Sequence, residues 1–316
     1  MLMKNRRSFI VGIKSTSLSK NEKLFIKHYK PWGIILFSRN IRSVSQTRKL
    51  TENIQKIFKD KKYPIFLDQE GGRVNRLHKF FNTELLTSEY FGNLFENKKF
   101  KFNNYYNIFI KKTSFLLKAI GVNINTVPIL DIRKKGSSNI IGDRSFSSKT
   151  KTVNVIGNLC IKTYHKHNIG TVIKHIPGHG LAKVDSHKLT PIVYAKLAYL
   201  FRNDFSTFKN KKSFFAMTAH VVYASIDKNY TATHSKKVIS LIRKKIKFKN
   251  LLISDDISMK SLKYSIKENT IKAFSAGCNL VLHCNANYKE MLDVANNSPL
   301  VDTFIIKKTS QFYKIL

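Results

Sequence analysis

Residues 251–259 read LLISDDISM: a short apolar run that ends abruptly in two aspartates. An unbroken apolar run of this length is what a strand buried on both faces looks like, and strands are buried on both faces when helices cover a parallel sheet. The same pattern occurs seven more times, in SFIVGI (8–13), GIILF (33–37), PIFLD (64–68), VNINTV (122–127), TVIKH (171–175), FFAMTA (214–219) and CNLVLH (278–283). Helical patterns lie between the runs. In SQTRKLTENIQKIF (45–58), Leu50, Ile54, Ile57 and Phe58 share one helix face, and in KKVISLIRKKI (236–246) Val238, Leu241, Ile242 and Ile246 do the same. Gly121, Gly170 and Gly277 each sit between a helical stretch and a strand, where helix-ending glycines belong. Strand and helix alternating eight times predict an α/β fold, a single-domain (β/α)8 TIM barrel over residues 1–316. The interval 69–121 is longer than one helix requires and leaves room for an extra hairpin or helix.

Composition sets bounds on function. Apolar residues make up 42% of the 316-residue chain, enough for a sizeable core. No stretch approaches the roughly 20 apolar residues of a membrane span. The apolar run near the N-terminus, Phe9 to Ile13, is shorter than a secretory h-region. Cys160, Cys278 and Cys284 have no paired spacing, so reduced thiols and a cytoplasmic location are expected. The net charge of +38 raises nucleic acid as a partner. Yet the charge is mostly lysine, is spread along the chain and forms no recognised nucleic-acid motif, which fits AT-rich codon usage better. No specific nucleic-acid partner and no membrane partner are expected.

In a (β/α)8 barrel the chemistry sits at the C-terminal ends of the strands. The polar residues that follow the eight runs are Arg39, Asn40, Asp68, Glu70, Asp131, Lys174, His175, His220, Asp255, Asp256 and His283. All are expected around one mouth. In FLDQEGGRVNRL (66–77), Asp68 and Arg76 flank a glycine pair, a geometry that grips hydroxyl groups as readily as it makes a turn with a surface ion pair. In LLISDDISM, side-chain alternation lets only one of Asp255 and Asp256 face the mouth, leaving the other to cap the next turn. The stretch KHIPGHGLAKVDSHKLT (174–190) holds His175, His179 and His187 with Asp185 two residues before the last. The four-residue step from His175 to His179 has metal-ligand spacing, but Pro177, Gly178 and Gly180 exclude a helix there. A loop can still gather these residues around zinc, and that alternative stays open on the residues alone. Acid/base chemistry needs fewer of them: Asp185 beside His187 orients an imidazole that gives and then takes a proton.

GIILFSRN (33–40), FLDQEGGRVNRL, IIGDRSFSSK (140–149), KHIPGHGLAKVDSHKLT, FAMTAHVVY (215–223) and LLISDDISM resemble, in this order, the blocks of the bacterial β-N-acetylhexosaminidases of glycoside hydrolase family 3, the cytoplasmic cell-wall-recycling type. The resemblance implies a single (β/α)8 barrel acting as a retaining exo-β-N-acetylglucosaminidase on terminal β-1,4-linked N-acetylglucosamine of muropeptides. It implies Asp255 as nucleophile, His187 as general acid/base and Asp185 as the partner that orients His187. It implies Asp68, Arg76, Arg144, Lys174 and His175 as sugar-binding residues, and His179 as a residue that holds the loop. It implies no cofactor, no metal and a monomer. Ile176 stands where the family pattern has an aromatic. Three other readings stay in view: a metal-dependent hydrolase built on His175, His179, Asp185 and His187; a basic binding protein on an inactive barrel; and a phosphorylase.

Overall fold

The computed structural model describes residues 3–134, 136–186 and 188–316. Eight parallel strands close into a barrel: β1 (Arg7–Gly12), β2 (Pro31–Leu36), β3 (Ile65–Leu67), β4 (Ile124–Asn125), β5 (Gly170–Ile176), β6 (Phe215–Thr218), β7 (Leu251–Asp256) and β8 (Leu280–His283). Each strand pairs with its sequence neighbours, and β1 closes the ring against β8 with Phe9 opposite Val281 and Val11 opposite His283. Every one of the eight apolar runs is a barrel strand. The chain is an α/β protein with (β/α)8 architecture.

The barrel interior is filled by Ile10, Ile35, Ile124, Val172, Met217, Ile253, Leu280 and their neighbours. Its lower end is plugged by aromatics. The Trp32 ring packs against Phe66 and Phe215, and Phe312 of the final helix (Thr303–Tyr313) meets Phe215 edge-on at 5.2 Å between centroids. The Trp32 indole N–H is satisfied by donating to Thr309 Oγ1 at 3.0 Å. With one end sealed, the C-terminal ends of the strands form the open mouth.

The interval 69–121 contains both additions that its length allows. Helices α1 (Lys20–Tyr29) and α2 (Val44–Phe58) precede it; within it a short hairpin pairs Gln69–Gly71 with Val74–Asn75, and two helices follow, α3 (Ser88–Asn97) and α4 (Lys99–Ala119). The helix expected over 45–58 runs Val44–Phe58, with Ser43 accepting the Gln46 amide as its N-cap. The helix expected over 236–246 is α-helical only through Leu241 and widens into a π turn over Ile242–Ile246. Gly121 (φ 78°) and Gly277 (φ 114°) take the left-handed conformation that ends a helix. Gly170 does not. Asn168 (φ 62°) makes that turn, and Gly170 opens β5, where a Cβ would lie 2.6 Å from the Phe312 ring.

Gly92 sits in the middle of α3, where alanine normally stabilises a helix by about 1 kcal/mol. Here an added Cβ would lie 1.6 Å from the Phe146 carbonyl oxygen, so the helix must shift. Gly92→Ala is therefore expected to destabilise by about 2–3 kcal/mol, the scale of core overpacking. In a melting experiment that corresponds to a Tm lower by roughly 3–5 °C; an unchanged or raised Tm would show that α3 is not held against Phe146.

Candidate active site

The mouth holds a cavity of about 250 Å³ whose wall includes Asp68, Glu70, Arg76, Arg144, Lys174, His175, His179, Ser186 and Asp255, with Met217 and Leu282 among its apolar members. Strand ends supply the chemistry. Asp68 follows β3, Lys174 and His175 lie in β5, and Asp255 lies in β7. Strand alternation would send Lys174 and His175 to opposite faces. The ladder between β5 and β6 shifts register between Lys174 and Ile176, the Lys174–His175 peptide is cis, and both side chains reach the cavity.

One wall is a buried ion cluster. Lys174 Nζ donates to Glu70 Oε1 at 2.7 Å, Thr126 Oγ1 at 2.9 Å and Asp68 Oδ1 at 3.1 Å. Arg144 grips Glu70 with two parallel bonds, Nε to Oε2 at 2.8 Å and Nη2 to Oε1 at 2.9 Å, the bidentate geometry that suits guanidinium to carboxylate. Arg76 reaches Asp68 Oδ2 at 3.5 Å, and Thr126 Oγ1 also donates to Asp68. Burial alone would raise both carboxyls, but the cations outweigh it. Lys174 and Arg76 hold Asp68 well below the usual carboxylate range, and Arg144 and Lys174 bring Glu70 down to about 2. Burial would likewise lower Lys174, yet Asp68 and Glu70 keep it raised and charged.

A second group is organised by Asp131, which is fully buried. It accepts from the His175 amide at 3.1 Å and the His179 amide at 2.6 Å, and it meets His175 Nδ1 at 2.7 Å. The carboxylate so placed makes His175 Nδ1 the protonated ring nitrogen and turns Nε2 away from Asp131. His179 is buried and packs edge-on against the His175 ring; its Nε2 lies 3.2 Å from Ser186 Oγ. Burial, then the nearby His175, lowers His179 to about 4, so it is neutral at pH 7. His179 thus links the start of the loop to Ser186 at its far end.

The two aspartates of β7 divide as alternation requires. Asp255 lines the cavity and accepts the Asp256 amide at 2.8 Å through Oδ1. Asp256 accepts from Ser258 N at 3.1 Å, Ser258 Oγ at 2.8 Å and Cys284 N at 3.2 Å, so it caps the turn. Burial opposes ionisation of Asp255, but His220, His175, the Asp256 amide and Lys174 lower its pKa below the ordinary value. It is a carboxylate at neutral pH.

Several residues expected at the mouth serve elsewhere. His283 pairs through Nε2 with Glu290 at 2.8 Å, because Leu282 takes the inward position on β8. Asn40 is buried, bonding the Ile13 and Ser15 carbonyls, and Arg39 bonds the Ile13 carbonyl, tying the ends of β1 and β2 together. His220 sits between Thr233 Oγ1 at 2.7 Å and the Asp256 carbonyl at 3.0 Å. Asp185 is half-buried on the loop, its carbonyl accepting the Lys188 and Leu189 amides. His187 lies outside the described residues. Conversely, Glu70 and Asp131 were visible only as strand-end acids in the sequence; their roles as the hub of the cation pair and the anchor of the histidines depend on partners 74 and 44 residues away.

A buried acid–cation cluster facing a separate ionised carboxylate across a small cavity suits recognition of a polyhydroxylated ring with a nucleophile placed against it. Residues 9–311 match the model of the glycosyl hydrolase family 3 N-terminal domain. The chain belongs to that family. The β-hexosaminidase of Haemophilus ducreyi is 33% identical over 288 residues, covering 87% of this chain and 80% of that protein. The β-hexosaminidase of Nitrosomonas eutropha is 30% identical over 281 residues, with the same coverage. The crystal structure of NagZ from Neisseria gonorrhoeae in complex with N-trifluoroacetyl-D-glucosamine matches with a TM-score of 0.88 at 26% identity, over 98% of this chain and 91% of that one. The family 3 chain is a glycoside hydrolase of the β-N-acetylhexosaminidase type. None of the helices among its described residues is long and apolar enough to cross a membrane.

Proposed function

We propose that the protein is a retaining exo-β-N-acetylglucosaminidase that removes terminal β-1,4-linked N-acetylglucosamine from cytoplasmic muropeptides, as one folded domain and without a cofactor. The observation that carries this reading is Asp255, ionised on the cavity wall beside the Asp68–Lys174–Glu70–Arg144 cluster. The N-acylated glucosamine bound by the similar gonococcal NagZ supports the choice of sugar. A cavity of about 250 Å³ has room for one sugar ring, which suits an enzyme that takes a terminal residue.

In this mechanism Asp68, Arg76, Arg144, Lys174 and His175 hold the hydroxyls of the terminal sugar and fix the anomeric carbon against Asp255. Asp255 attacks that carbon while His187, oriented by Asp185, protonates the departing glycosidic oxygen. The covalent glycosyl–Asp255 ester is then cleaved by water, whose proton returns to His187. Two displacements at one carbon restore the starting β configuration.

The test is the anomer formed first. In proton NMR of early turnover on p-nitrophenyl N-acetyl-β-glucosaminide, the β anomer is expected to precede mutarotation, and EDTA is expected to leave the rate unchanged. First-formed α anomer would mean single displacement by water, and loss of activity to EDTA would restore the metal-dependent alternative.

A further inference from the structure

Helix α4 carries a surface that the glycosidase chemistry does not use. Between Glu96 and Asp131 the chain has no acidic residue, but it has Lys98, Lys99, Lys101, Lys111, Lys112 and Lys118. The inner face of α4 is ordinary: Phe102, Tyr106, Phe109, Ile110 and Leu117 are buried against the protein. Its outer face is not. Phe100 is 80% exposed, Phe115 68%, Ile108 61% and Tyr105 49%. Positions 101, 104, 105, 108, 111, 112, 115 and 118 recur at steps of three and four, so they form one stripe along the helix. Ile108 and Phe115 run along its middle. Lys111 and Lys118 flank them on one side, Lys101 and Lys112 on the other. A surface helix of a globular protein normally turns charged and polar residues to water along such a stripe.

Apolar side chains bordered by lysine, with no acid on the helix itself, describe a helix that lies in the headgroup region of a membrane. We propose that α4 docks this face on an anionic lipid bilayer. Charge decides against a second copy of the chain, which would set lysines against lysines. The stripe lies on a helix about 31 Å long, at 1.5 Å per residue over 21 residues, and its lysines complement the negative surface of an anionic bilayer. The net charge of +38 adds long-range attraction to the same surface. Helices of a (β/α)8 barrel lie along its flank, so docking through α4 points the mouth along the bilayer and leaves it open. The expectation of no membrane partner rested on the absence of a spanning segment, and face-on docking requires none.

The full chain would be sedimented at physiological ionic strength with vesicles of phosphatidylcholine alone, or of phosphatidylcholine mixed equally with phosphatidylglycerol. Wild type is expected to partition onto the mixed vesicles and not onto phosphatidylcholine. The variant Phe100→Ser/Ile108→Ser/Phe115→Ser keeps every charge and is expected to lose more than about tenfold in partition. The control Lys20→Gln/Lys23→Gln/Lys27→Gln, on the first helix (Lys20–Tyr29), lowers the charge by three and is expected to stay within about twofold of wild type. Both variants should hydrolyse the chromogenic substrate normally, which checks their fold. The proposal fails if wild type does not partition, or if the serine variant partitions as well as wild type, since net charge alone would then explain the binding. It fails too if wild type dimerises without lipid and the serine variant does not, which would assign the stripe to a second copy.

Discussion

Asp255→Asn is expected to lower kcat by about 10,000-fold, the scale on which removal of a covalent nucleophile is felt. Asparagine has nearly the shape of aspartate and can still accept the Asp256 amide, so the barrel should fold unchanged. What it lacks is the negative charge and the oxygen that forms the ester. The neighbouring carboxylate cannot take over, because Asp256 is occupied by Ser258 and the Cys284 amide. A smaller variant, Asp255→Gly, opens space for an external anion. Azide is expected to restore turnover there and to give the α-glycosyl azide, since a single displacement inverts the centre. A fall of less than about tenfold in Asp255→Asn would instead assign the attack to the substrate's own acetamido oxygen, the route of substrate-assisted glycosidases. Asp256→Asn serves as the contrast. It should lower stability by weakening the turn after β7 while leaving the covalent step in place.

The barrel and much of its cavity lining were readable in advance, and the reason is physical. A strand of a parallel barrel is buried on both faces, so burial alone writes it as a continuous apolar run, as in LLIS or GIILF. The catalytic mouth follows from direction: residues just past those runs sit at one end of the barrel. The sequence was opaque where burial is mixed. Helix α4 has Phe100, Ile108 and Phe115 on its outer face and Phe102 and Phe109 on its inner face, so no apolar period stands out and the interval 69–121 could not be parsed. It was opaque also where one residue of register decides. Leu282 faces the cavity and His283 therefore does not, although the two residues together end the same run. And it was silent on partnership: nothing near Glu70 in the chain announces Arg144, 74 residues later, as its bidentate partner.

That partnership carries the second large effect. Glu70 is held on one side by Arg144 and on the other by Lys174, and all three side chains are nearly inaccessible. In Glu70→Gln one oxygen can still accept from a cation, but the new amide NH2 is turned against the other, donor against donor. Leaving a buried cation without its anion costs about 3–5 kcal/mol, so Tm at pH 7 is expected to fall by roughly 5–8 °C. Activity should fall with it, by about 100-fold in kcat/KM, because Lys174 and Arg144 are then no longer held where the sugar needs them. The effect has a defined pH dependence. Glu70 ionises at about 2 in the folded protein against an ordinary 4.5, so its contribution is complete above pH 4.5 and is lost as the pH falls toward 2. The wild-type and Glu70→Gln stability curves, measured by urea unfolding, should therefore converge through that window. The double variant Glu70→Gln/Arg144→Met removes the stranded guanidinium together with the carboxylate, while Lys174 keeps Asp68 as its anion. It is expected to regain part of the lost stability and none of the lost activity, since well-packed apolar groups can replace a buried ion pair in the core but cannot hold a hydroxyl. Recovery of both would mean that the cluster only supports the barrel and that the sugar is held elsewhere; recovery of neither would mean that Arg144 is needed for folding through its bond to the Ile140 carbonyl.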